Sequence, residues 1–119
     1  MTAQKAIVMQ YTDRFRRGDV GQLLACLTAD VVWALHGDKI LVGKQAFAAE
    51  ALNGGRPTPE LHLDRLIEEG DTVAVVGHGR LARDSGPVDF VYSEVFTFTD
   101  GLVSRLDTFH IWLERVAFG

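Results

Sequence analysis

Apolar positions recur every three or four residues over 3–17. Ile7, Val8, Tyr11 and Phe15 fall on one face of a 3.6-residue period, which predicts an amphipathic helix. Arg14, Arg16 and Arg17 occupy its solvent side and last turn, where the helix dipole favours cations. Gly18 is available for a left-handed cap, and Asp19 is placed to cap a second, short helix over 20–27 with Leu23, Leu24 and Leu27 inward. Residues 28–30 read as its exit. The period then changes. Residues 31–36 carry the β-branched and aromatic content of a strand, 36–39 a polar turn and 40–43 a short extended return. A third helix is predicted over 44–53, with Phe47, Ala48, Ala51 and Leu52 inward, stopped by Gly54, Gly55, Arg56 and Pro57.

The second half reads as strands at 60–68, 72–83, 88–99 and 102–113. Turns separate them at 70–71 and 84–87, and at Asp100-Gly101, a strong hairpin signal. Long antiparallel strands with aromatics on both faces cannot leave both faces wet. One face is expected to take the helices and the other to meet a second copy of the chain. No repeat, linker or low-complexity stretch interrupts the pattern, so residues 1–119 are expected to form a single domain.

Composition narrows the functional classes. The chain is 47% apolar and 24% charged, in the range of a globular core without a staple. A formal charge of -4 without a basic stripe argues against a nucleic-acid partner. No apolar run is long enough to span a membrane and no leader-like segment is visible, so a cytoplasmic protein without a membrane partner is expected. Cys26, the single cysteine, sits in an apolar run and reads as a small buried hydrophobe. No phosphate-binding glycine motif occurs, and His78, His110 and Glu94 lack metal-type spacing. No cofactor and no metal are expected.

Four segments carry a family resemblance: residues 11–19 (YTDRFRRGD), 27–33 (LTADVVW), 43–47 (GKQAF) and 96–103 (FTFTDGLV). With this element order the chain resembles the nuclear-transport-factor-2-like superfamily, in the branch of the ketosteroid isomerases and SnoaL-like polyketide cyclases. The resemblance implies an α+β, cone-shaped fold: N-terminal helices packed on a strongly curved, mixed and mainly antiparallel sheet that encloses a pocket. It also implies a homodimer through the outer sheet face.

The resemblance further suggests site residues. In ketosteroid isomerases, a first-helix tyrosine and a protonated sheet aspartic acid stabilise a developing enolate in a dry pocket, while an aspartate on the first strand shuttles the proton. The tyrosine matches Tyr11 and the acid matches Glu94, one methylene longer. The base matches Leu35, which transfers no proton; adjacent His36 should point to the opposite face. Related cyclases and epoxide hydrolases resemble one another in a last-strand aspartate, matched here by Thr108, with Asp107 facing away.

Alternation along the strands adds the rest. Val76, His78 and Arg80 share one face, Tyr92, Glu94, Phe96 and Phe98 another, and Leu106, Thr108 and His110 a third. If these coincide, Tyr11, Glu94, His78 and His110 form a catalytic cluster. Trp33, Leu35, Val76, Arg80, Phe96, Phe98, Leu106 and Thr108 then surround the ligand. Arg80 is expected to pair with Glu94, and Gly77 and Gly79 to leave space beside His78. Trp33 and Trp112 also suit core or interface positions. The expected partner is a small, largely apolar molecule with a carbonyl or hydroxyl group. The expected chemistry is cofactor-free isomerisation, cyclisation or related acid–base work. The alternative is a non-catalytic ligand-binding or dimeric accessory protein.

Overall fold

A computed structural model of the chain describes residues 1–52 and 58–113. Asn53 and the expected stop at Gly54, Gly55, Arg56 and Pro57 lie outside the described residues. The elements are α1 (Ala3–Arg16), α2 (Val20–Leu24), β1 (Leu27–Leu35), β2 (Lys39–Val42), α3 (Lys44–Leu52), β3 (Glu60–Glu69), β4 (Thr72–Leu81), β5 (Val88–Thr99) and β6 (Leu102–Trp112).

Local chemistry explains most boundaries. The Thr2 hydroxyl accepts the Lys5 N–H at the start of α1, and the Asp19 carboxylate accepts the Gln22 N–H at the start of α2. Gly18 adopts a φ of 69° between the two helices. Asp100 and Gly101 both take positive φ, 52° and 81°, as a tight two-residue hairpin requires.

One boundary departs from expectation. The second helix ends at Leu24 rather than at 27, and Leu27 and residues 28–30 are strand, not helix and exit, because β1 begins at Leu27. The cause is long-range: Leu27 pairs in parallel with Val103, and the Val103 N–H donates to the Cys26 carbonyl. That parallel β1–β6 pairing makes the sheet mixed, and every other neighbouring pair is antiparallel.

The strand order is β2-β1-β6-β5-β4-β3. The sheet is therefore open, with β2 and β3 as separate edges. The expected cone, a strongly curved sheet enclosing a pocket, is corrected here: the sheet is neither strongly curved nor closed. Curling a sheet takes bulges or glycine kinks at its corners. The register shifts present, at Leu27/Val32, Leu63/Arg65 and Thr97/Phe98, do not bring β2 and β3 together, and β4 and β5 pair without interruption from Thr72↔Thr97 to Leu81↔Val88. The chain spans 50 × 30 × 24 Å.

Gly77 and Gly79 serve close packing. A Cβ on Gly77 would lie 2.5 Å from both the His62 carbonyl oxygen and Tyr92 Cζ. The rings of Tyr92 and Phe90 fill the space beside these glycines, so it is not open to a ligand.

The helices lie on one face. Val8 and Tyr11 of α1, Leu23 of α2 and Phe47 of α3 are buried with Val73 and Val75 of β4, Phe96 of β5, and Val103 and Leu106 of β6. Because the sheet is open, the cavity beside this core is walled by helix and sheet together.

Candidate functional site

A cavity of about 470 Å³ opens between the helices and the helix-facing side of the sheet. Tyr11 and Phe15 enter from α1, Trp33 and Leu35 from β1, and Glu50 and Ala51 from α3. Phe90, Tyr92 and Glu94 come from β5, Thr108, His110 and Trp112 from β6, and Thr12, Asp38, Thr58, Pro59, Leu61 and Leu81 complete the wall among the described residues. This volume suits a small molecule of a few fused rings.

The deep polar groups form a chain across three strands. β1, β6 and β5 are adjacent, and the register sets Leu35↔Thr108 and Thr108↔Glu94 side by side. Trp33 Nε1 donates to Thr108 Oγ1 at 2.9 Å, and Thr108 Oγ1 donates to Glu94 Oε2 at 3.1 Å. Among the described residues no basic side chain neutralises Glu94. Burial pushes its pKa up from 4.5 to about 7, against a smaller opposing pull from the Thr108 hydrogen bond.

Tyr11 lies against Phe96, with ring centroids 5.2 Å apart. Its hydroxyl is buried and has no hydrogen-bond partner among the described residues. Burial raises its pKa well above the usual tyrosine value, and the nearby Glu94 and Cys26 add to the rise. An unpaired buried hydroxyl is costly, and because this oxygen is closed to solvent, a ligand oxygen relieves that cost only by displacing the side chains that cover it.

His110 stands between Phe90 and Trp112, each ring centroid 4.3 Å away. Its pKa is lowered by burial, which keeps the imidazole neutral near pH 7. Among the described lining residues the carboxyls are Asp38, Glu50 and Glu94, and there is no lysine or arginine.

The structure thus brings Tyr11, Glu94, His110, Trp33, Leu35 and Thr108 to one cavity and separates the other candidates from it. Phe96, Phe98 and Leu106 face the helices but are packed in the core beneath the cavity. Val76, His78 and Arg80 lie on the opposite face of the sheet. Gly77 is paired with Tyr92 and Val75 with Glu94, so the odd positions of β4 share the helix-facing side. His78 is bonded to Asp64 at 2.7 Å and stacked on His62. Arg80 is bonded to Asp89, its direct cross-strand partner, at 2.7 Å, so the expected Arg80–Glu94 pair does not form.

His36 also lies outside the cavity, bonded to Asp107 at 2.8 Å and stacked on Phe109. Asp107 and Thr108 do point to opposite faces, with Thr108 inward. Sequence reasoning missed Phe15, Phe90 and Trp112 as wall residues. The signal was present: Phe15 follows Tyr11 by four on a helix, and Phe90 and Trp112 share the alternation of Glu94 and His110.

A model of the SnoaL-like domain family matches residues 8–106. No curated protein matches the sequence. Among solved structures, an NTF2-like protein of unknown function from Burkholderia pseudomallei superposes with a TM-score of 0.82 at 20% identity, over 92% of this chain and 91% of that one. An LEH-like epoxide hydrolase from M. tuberculosis gives 0.81 at 20% identity, over 91% and 82%. TerC, co-crystallised with polyporic acid, gives 0.79 at 18% identity, over 91% of each chain. At these identities the structural likeness shows the NTF2-like fold alone.

Proposed function

We propose that this chain, which belongs to the SnoaL-like domain family, binds a small, largely apolar molecule in its cavity and performs acid–base chemistry at a carbonyl or hydroxyl group. The observation that carries the reading is a buried Tyr11 hydroxyl and a Glu94 carboxyl in the same apolar-walled cavity, the first without a hydrogen-bond partner and the second without a countercharge among the described residues. Below about pH 7 Glu94 is a neutral acid and, like Tyr11, a hydrogen-bond donor. Two donors on a ketone oxygen stabilise the charge that develops when a proton leaves the neighbouring carbon. Neutral His110 is the group in this cavity suited to take that proton and return it to another carbon, giving an isomer.

A second reading is binding without turnover. It is supported by Leu35 and Thr108, which stand where the resemblance to isomerases and cyclases implies working carboxylates. In either case we propose a homodimer through the outer sheet face, supported by exposed Val76, Val91, Phe109 and Ile111. Val91→Glu with Ile111→Glu should then halve the mass measured by sedimentation.

Two measurements test the reading. Calorimetry should show 2-naphthol binding more tightly than naphthalene, with that preference lost in Tyr11→Phe and Glu94→Leu. Deuterium uptake beside the carbonyl of 2-tetralone, followed by NMR, should be accelerated by the protein and slowed in His110→Ala. Binding without exchange selects the second reading. No preference for the oxygen-bearing compound overturns both.

A further inference from the structure

We infer that Thr108, aimed by Trp33, is a positioning residue that keeps the acid proton of Glu94 on Oε1 and thereby makes Glu94 a donor to the cavity. The inference rests on the reading of Glu94 as an acid that holds a ligand oxygen.

Hydrogen-bond accounting carries the argument. An indole N–H donates only. Trp33 Nε1 stands 2.9 Å from Thr108 Oγ1, so that oxygen is an acceptor in this contact. Its own hydrogen is left for Glu94 Oε2, 3.1 Å away. An Oε2 that accepts this bond is the carbonyl oxygen of the neutral acid, so the acid proton resides on Oε1. Oε1 has no hydrogen-bond partner among the described residues, and the sealed unpaired side-chain atoms are Tyr11 Oη and Thr28 Oγ1. Oε1 is therefore the oxygen left available to the cavity that Glu94 lines.

Without Trp33, the Thr108 hydroxyl could reverse and accept the acid proton, leaving Glu94 to present an acceptor. A ketone meets a donor in the first arrangement and a lone pair in the second. The relay depends on the sheet order, because its three members sit on the adjacent strands β1, β6 and β5.

The titratable groups sharing this cavity are Tyr11 from α1, Tyr92 from β5, His110 from β6, Glu50 from α3 and Asp38 from the β1–β2 turn. Cys26, which acts on Tyr11, is itself bonded by Arg14 at 3.3 Å. The relay adds a donor to the carboxylate form, so removing it should raise the Glu94 midpoint.

The test is a ligand-free titration of the glutamate carboxyls by carbon-13 NMR, with Glu94 assigned from its loss in Glu94→Gln. Thr108→Val should raise the Glu94 midpoint by about one pH unit, and Thr108→Ser should restore it. Trp33→Phe should move it the same way by less. An unchanged midpoint in Thr108→Val, or a serine variant that behaves like valine, overturns the inference. If Thr108→Val does not fold, the Trp33→Phe titration decides, with an unmoved or lowered midpoint refuting. Since no ligand enters the titration, its result is separable from the function: a shifted midpoint without any preference for 2-naphthol sinks the proposed function and leaves the relay standing.

Discussion

Replacing Glu94 with glutamine keeps the side chain's size and its acceptor for Thr108 but removes the charge. In the folded protein burial holds this carboxyl at about 7, against an ordinary value of 4.5. The folded state therefore binds this proton more tightly than the unfolded chain does. The sign follows: the group opposes folding only when ionised, so stability is full below about pH 4.5 and falls as pH rises to about 7. Above that the penalty is constant, at most about 3 kcal/mol. The glutamine variant pays no such penalty. Urea unfolding of both proteins between pH 4.5 and 8.5 isolates the effect, because other titrations are common to the two and cancel in the difference. The variant should gain on the wild type by up to about 3 kcal/mol across that window, with the rise centred between the two pKa values. A difference that stays flat with pH, or one that falls, would refute the claim that Glu94 is desolvated without a countercharge among the described residues.

Tyr11→Phe removes an unpaired buried hydroxyl and should raise unliganded stability by about 1 kcal/mol, even as it weakens 2-naphthol binding; thermal melts and calorimetry on one sample check both. Gly77→Ala forces a methyl against the His62 carbonyl and the Tyr92 ring. A carbonyl on a paired strand cannot step aside, so a loss of about 2–3 kcal/mol is expected by chemical denaturation. Asp19→Ala deletes the carboxylate that caps α2 and should cost about 1 kcal/mol; Asp19→Asn should recover most of it.

Much of the fold was legible because its determinants are local. The helical period through Tyr11 and Phe15, the Asp19 cap and the Asp100-Gly101 turn each act within a few residues, and each appears where the pattern implies. The start of β1 was not legible, since it is set by Leu27 pairing with Val103 of β6, some seventy-five positions away. The site divides along the same line. Alternation within β5 and within β6 correctly grouped Tyr92 with Glu94 and Thr108 with His110. It could not join β4 to β5, because a one-residue change in register turns every side chain to the other face. That is why His78 and Arg80 seemed to belong with Glu94 and instead lie behind it, held by Asp64 and Asp89.

The sequence by itself determined the α+β element order, the buried faces of α1 and α2, the turns and the family likeness carried by residues such as Trp33 and Phe96; in α3 it placed Leu52 inward, whereas that side chain is exposed because the buried side of the helix is narrowed to Phe47 and Ala51. Only the tertiary structure decided that the sheet stays open, that Glu94 answers to Thr108 and not to Arg80, and that the Tyr11 hydroxyl has no partner among the described residues. The physical reason is one of range. Periodicity and capping are settled among neighbours along the chain, whereas sheet closure, register and the desolvation of a carboxyl depend on which distant strands come to lie side by side.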